Sequence, residues 1–112
     1  MAEEISFEDF SKVDIRIGTI LEVNDFPKAR KPAYQLKIDF GDLGIKSSSA
    51  QITHLYTKED LRNRQVMAVV NFKPRQIANF MSECLVLGVY DLEENVVLLK
   101  VSQKIKSGEQ VN

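Results

Sequence analysis

Cys84 is the only cysteine of the 112-residue chain, so no internal disulfide can staple it, and the fold must rest on an apolar core. Its thiol lies in an apolar stretch, where it reads as buried and inert rather than catalytic. A lone cysteine also fits a cytoplasmic location. His54 is the only histidine. With no second histidine or cysteine nearby, it makes no zinc ligand set. No apolar run approaches the ~20 residues that span a bilayer. The opening MAEEISF is acidic and has no basic n-region, so neither a signal peptide nor membrane insertion is expected. No nucleophile–base pair, metal cluster or Gly-rich phosphate loop stands out, which argues against an enzyme. Repeats, linkers and low-complexity runs are absent too.

What is present is 44% apolar residues in 112, enough for one core and one domain over residues 1–112. Net charge is −1, which by itself points to no polyanionic partner. Its distribution does. From Phe26 to Arg75 there are ten Lys and Arg against four Asp and Glu; the remainder carries five against twelve. That asymmetry suggests a basic face on a nearly neutral protein, although solvated surface charge clusters by chance as well.

Residues 5–13 read as a short helix with Ser6 as N-cap, Asp9 at its third position and an Ile5–Phe10 staple. So short a helix must pack on a barrel end or on a partner subunit. Asp14 to Asn24 reads as a β-branched strand whose phase slips near Gly18, where a bulge or sharp coil is expected. Asp25 to Ala33 (DFPKARKPA) is a loop. Tyr34 to Phe40 alternates cleanly as a half-buried strand, and a third strand runs from Leu43 to Ala50. Ser47 to Ser49 suit a groove floor or an ordinary polar strand end. Thr57 to Asn63 is a second short helix, with Thr57 as N-cap, Asp60 as its box partner and a Tyr56–Leu61 staple.

Val66–Phe72 and Glu83–Val89 are strands four and five, joined by a polar, basic segment that Pro74 keeps out of the ladder. Ten residues are long for a hairpin connection, and long loops in compact domains often bind ligands. A decorated hairpin is the competing reading. Asp91–Asn95 is a turn and Val96–Val101 a further strand. Residues 1–13 thus form an N-terminal helix, 14–90 a barrel and 91–112 a C-terminal extension. Val96 to Leu99 are consecutive apolar residues, so both faces of that strand need cover. With Phe7 and Phe10 they suggest a two-fold homodimer.

The fold class is all-β with short helices. Five or six strands with a small helix between the third and fourth resemble an OB-fold, a five-stranded Greek-key barrel. In that fold oligonucleotides meet the face of strands two and three and the loops between strands one–two and four–five. Those loops carry Lys28, Arg30, Lys31, Lys73 and Arg75, with Phe26 and Phe80 among them, a mix that suits phosphates and exposed bases.

DIRIGTI (14–20), SSAQIT (48–53) and NFKPRQIANFMSE (71–83) resemble the tRNA-binding domain family, and most closely its CsaA-type branch of secretion chaperones. The resemblance runs from about Phe10 to the C-terminus. It implies a homodimeric OB-fold protein that binds tRNA and, in that branch, unfolded preproteins or export-machinery components. It brings no cofactor and no catalytic residue. The residues assigned to RNA are Lys28, Arg30, Lys31, Lys73, Arg75, Asn71 and Ser82. A peptide groove is assigned to Phe72, Ile77, Phe80 and Met81, with Ile77 and Phe80 equally suited to anchor the loop. The chain departs from the family pattern at Asn79, where glycine is usual, and at Glu83 and Cys84. Asn79 is expected to take a left-handed turn conformation, and Glu83 to put negative charge beside the anion site.

Overall fold

The computed structural model describes all residues, 1–112. Helix α1 (Phe7–Ser11) opens with the expected capping box: the Asp9 N–H donates to Ser6 Oγ at 3.1 Å and the Ser6 N–H to Asp9 Oδ2 at 3.3 Å. It is shorter than residues 5–13 and buries none of its residues. Ile5 is left 68% exposed, so the expected Ile5–Phe10 staple does not bury it. Phe10 meets Phe7 instead, with ring centroids 6.2 Å apart.

Strand β1 (Ile15–Asp25) is the long spine of the barrel. Its first half pairs with β4 (Gln65–Val69) and its second half with β2 (Tyr34–Asp39), both antiparallel. The bulge expected at Gly18 falls instead between Ile20 and Glu22, where Leu21 has no partner on β2. Gly18 stays in register opposite Val66. Its lack of a side chain serves a close approach, because a Cβ there would sit 2.5 Å from Ile38 Cγ2 and 2.6 Å from the Phe40 ring.

A 3₁₀ turn at Gly41–Leu43 leads into β3 (Ile45–Ala50), which starts two residues later than expected. Helix α2 (Lys58–Leu61) has the expected Thr57–Asp60 box and buries Leu61 completely. Leu61 joins Ile20, Leu36, Ile38, Phe40, Val66 and Leu98 in one core cluster. Tyr56, just before α2, packs on that cluster, accepts the Tyr34 hydroxyl on its carbonyl and takes the Leu98 N–H on its own hydroxyl.

Strand β4 ends at Val69 rather than Phe72: the Val70 N–H still donates to the Asp14 carbonyl in register, but the Asp14 N–H turns to Asn71 Oδ1 and closes the ladder there. The expected long loop is itself a hairpin, β5 (Arg75–Ile77) and β6 (Phe80–Ser82), turning on Ala78 and Asn79. The expected strand over 83–89 is divided. Leu85–Val86 (β7) pair with β4, and Gly88–Tyr90 (β8) pair with β9 (Val96–Leu98), which ends three residues sooner than expected.

The main sheet has the order β3-β2-β1-β4-β7. Its two outer strands are joined by a clasp rather than a ladder. The Glu83 N–H donates to the Ser47 carbonyl at 2.8 Å, and Ser47 N–H donates back to Glu83 Oε1 at 2.9 Å. Ser49 N–H donates to Ser82 Oγ, and Ser48 Oγ to the Cys84 carbonyl. The result is a nearly closed five-stranded antiparallel barrel, the OB-fold expected from the strand count. The C-terminal tail then runs back along β1. Ile17 N–H donates to the Glu109 carbonyl, Gly108 N–H to Ile17 and Val111 N–H to Ile15. Gly108 passes so close to Gly41 that a Cβ on Gly108 would meet the Phe40 carbonyl at 2.4 Å. No helix is long and apolar enough to cross a membrane.

Candidate nucleic-acid interface

Alternation along β2 and β3 turns Leu36, Ile38, Ser48 and Ala50 into the barrel and leaves the residues between them on the outer face. There Gln35 stands opposite Ser49 and Lys37 opposite Ser47. This face is the floor of the candidate site. One wall is the β1–β2 loop, pinned at its ends by buried Phe26 and Ala33, with Lys28, Arg30 and Lys31 exposed between them. The other wall is the β5–β6 hairpin, where Lys73 and Arg75 are exposed. The walls touch: the Phe26 and Phe80 rings lie 5.5 Å apart, tilted by 60°, a favourable aromatic arrangement. Phe26 and Phe80, which the sequence places on the two loops, are thus the bolt between them.

The structure contains four ion pairs, and none involves Lys28, Arg30, Lys31, Lys73 or Arg75. Five cations on two joined loops therefore have no internal counter-charge. Exposed Lys37, outside the set assigned from sequence, adds a sixth on the floor. Strand alternation combined with the barrel's strand order was the signal that could have found it. Arg16, by contrast, pairs with Asp14 at 2.6 Å, and that contact holds its guanidinium pKa above the usual value. This pair is structural, and Arg16 also donates to the Gly108 carbonyl at 3.0 Å.

Two residues assigned to RNA have other partners. Asn71 donates through Nδ2 to the Lys12 carbonyl at 2.7 Å and accepts the Asp14 N–H on Oδ1 at 3.0 Å, bridging the end of α1 to the start of β1. Ser82 Oγ accepts the Ser49 N–H in the barrel clasp. The Glu83 carboxylate is likewise held by the Ser47 N–H, which binds it into the clasp. Burial pushes the Cys84 thiol up to about 11, so it is unreactive at neutral pH, as an inert cysteine should be. The left-handed turn residue is Ala78, at φ 52°, not Asn79. Positive φ at the first central position alone is the sign pattern of a type II′ hairpin turn.

The residues assigned to a peptide groove do not share one surface. Ile77 pairs with Phe80 across the hairpin, and Arg75 with Ser82, so these four stand on one face. Gln76 pairs with Met81 on the other. Ile77 and Phe80 are half-buried, while Met81 is 47% and Phe72 56% exposed.

The family model described as "Putative tRNA binding domain" matches residues 15–110. The methionine–tRNA ligase of Thermococcus onnurineus is 36% identical over 109 residues, 97% of this chain but 14% of the ligase, so the chain spans about one-seventh of that relative's length. Among solved structures, the chaperone CsaA of Bacillus anthracis superposes with a TM-score of 0.92 at 47% identity, covering 98% of this chain and 100% of that one. The CsaA chaperone of Picrophilus torridus superposes at 0.91 with 53% identity, covering 97% and 100%. Matched over most of its length in both sequence and fold, the chain belongs to the tRNA-binding domain family.

Proposed function

We propose that this protein is a non-catalytic tRNA-binding module, using the face bounded by the β1–β2 loop and the β5–β6 hairpin. The observation that carries this reading is the set of five exposed cations on those loops, none paired within the chain and all held in one place by the Phe26–Phe80 contact. Lys28, Arg30, Lys31, Lys73 and Arg75 meet phosphates. Gln35, Lys37 and the Ser47 and Ser49 hydroxyls line the floor beneath them. The experiment is charge reversal of Lys73 and Arg75 to Glu, with tRNA affinity measured across a salt series. Affinity falls for every tRNA tested, and the log–log salt slope drops by about 2, one per lost phosphate contact. Unchanged affinity and slope at low salt remove the hairpin from the site.

A second activity is supported by the likeness to CsaA chaperones along the whole chain. On this reading the protein is a cytoplasmic homodimer that also holds unfolded preprotein segments for secretion. Exposed Phe7, Val13, Phe72, Leu85, Val89 and Leu92 supply the apolar surface for these contacts. The N- and C-terminal segments bury part of it in the dimer, and Met81 and Phe72 remain for clients, Met adapting to varied shapes. A monomeric mass by light scattering at micromolar concentration argues against the dimer. Failure to suppress aggregation of an unfolded preprotein argues against the chaperone activity.

A further inference from the structure

Away from the loops, a cleft of about 650 Å³ opens between the α2–β4 connection and the segment after β9. Arg62 and Arg64 stand on one wall and Lys100 and Lys104 on the other; a single lining residue is apolar. The one carboxylate in the lining, Asp60, already accepts the Thr57 N–H at 2.9 Å as the α2 cap. Neither lysine has an acidic partner, and Arg62 reaches Glu59 only at 4.0 Å. The walls are fixed in place. The Gln65 amide clasps the backbone of Ile105 from both its donor and acceptor ends, and Thr19 Oγ1 is 2.8 Å from Ser107 Oγ. Arg64 is steadied by the Tyr56 ring, whose centre is 4.9 Å from its guanidinium carbon.

We propose that this cleft is a second phosphate-binding surface, which takes a stretch of RNA backbone separate from the one on the loops. The inference rests on the tRNA-binding reading and deepens it. A protein partner is disfavoured because the cleft has almost no apolar area to serve as a buried anchor, whereas nucleic-acid interfaces are polar and strongly positive. The cleft borders Gln65, at the start of β4, while the β5–β6 hairpin departs beyond its end at Val69. Four residues of strand separate the two by about 13 Å, so a single phosphate cannot serve both. Engaging both surfaces requires an RNA whose phosphates reach across that distance, and the pair therefore favours a chain of several nucleotides over a single one.

The test compares Lys100→Gln/Lys104→Gln with wild type and with Lys73→Glu/Arg75→Glu, using a tRNA transcript as the probe. The cleft variant binds tRNA about tenfold or more weakly at physiological salt and its salt slope falls by about 2. Unaltered tRNA affinity and slope in the cleft variant overturn the inference. So does an acidic peptide that binds the cleft and is lost with the two lysines while tRNA binding is not. If the cleft variant loses tRNA affinity and the hairpin variant does not, the hairpin assignment fails and the cleft stands.

Discussion

Truncating Phe80 distinguishes a bolt between two loops from a lining of an open groove. The ring is half-buried and lies 5.5 Å from buried Phe26. Fully burying a Phe side chain contributes about 1.5–3 kcal/mol, so half of that is about 1–1.5 kcal/mol. The aromatic pair adds about 0.5–1.5 kcal/mol beyond area. Phe80→Ala should therefore cost about 2 kcal/mol, below the ~3–5 kcal/mol of a fully buried aromatic. For a chain of this size that lowers Tm by roughly 8 °C. Thermal unfolding of Phe80→Leu, Phe26→Leu and the double variant isolates the pair, with an expected coupling energy of about 1 kcal/mol. The tRNA affinity of Phe80→Leu should also fall, although no cation is removed, because the two basic loops lose their fixed spacing. A Phe80→Ala variant that melts with the wild type, or a coupling energy near zero, refutes the bolt and returns Phe80 to a solvent-facing role.

Two further outcomes follow from single residues. Ala78 sits at φ 52°, a region that strains a side chain by about 1–2 kcal/mol. Net of glycine's greater unfolded-state entropy, Ala78→Gly should stabilise the protein by about 0.5–1 kcal/mol in denaturant titrations, and the β-branched Ala78→Val should destabilise it. Cys84, with its thiol pushed to about 11 in the folded protein, links stability to alkaline pH. The thiol is protonated in both states below its ordinary value of 9.0, so its contribution is full there and is lost as pH rises through about 11. Between those limits the wild type should lose about 2–3 kcal/mol relative to Cys84→Ala. Parallel pH profiles of the two proteins count against a buried thiol.

Much of the fold was legible because its signals are local. Ser6–Asp9 and Thr57–Asp60 carry their capping boxes within four residues, and Tyr34 to Phe40 alternates along β2 just as its burial does. Boundaries slipped where a distant segment decides. Gly18 interrupts the apolar phase and so reads as a bulge, yet its reason lies across the barrel in Ile38 and Phe40. The chain bulges at Leu21 instead, where β1 leaves β4 and turns to β2. The ladder between the tail and Ile15–Ile17 has no periodic pattern of its own, since it is backbone pairing over more than 90 residues of sequence.

The site divides along the same line. That Lys28, Arg30, Lys31, Lys73 and Arg75 stand exposed was legible from sequence, because cations on loops have no work to do inside the fold, and none is paired there. The internal partners of Asn71 and Ser82 were not legible. A short polar side chain beside a loop has the chemistry to hold a ligand and equally the chemistry to satisfy an orphaned backbone group. Which of the two it does depends on carbonyls and N–H groups distant in sequence: Lys12 and Asp14 for Asn71, Ser49 for Ser82. Unpaired backbone is costly to bury, so such residues are claimed first by the barrel. Arg62 and Arg64 were counted in the basic middle of the chain, but their groove is completed by Lys100 and Lys104, which lie in the stretch where acidic residues outnumber basic ones. Only folding brings the two sets together, and a basic surface can therefore be built from a segment whose own composition is acidic.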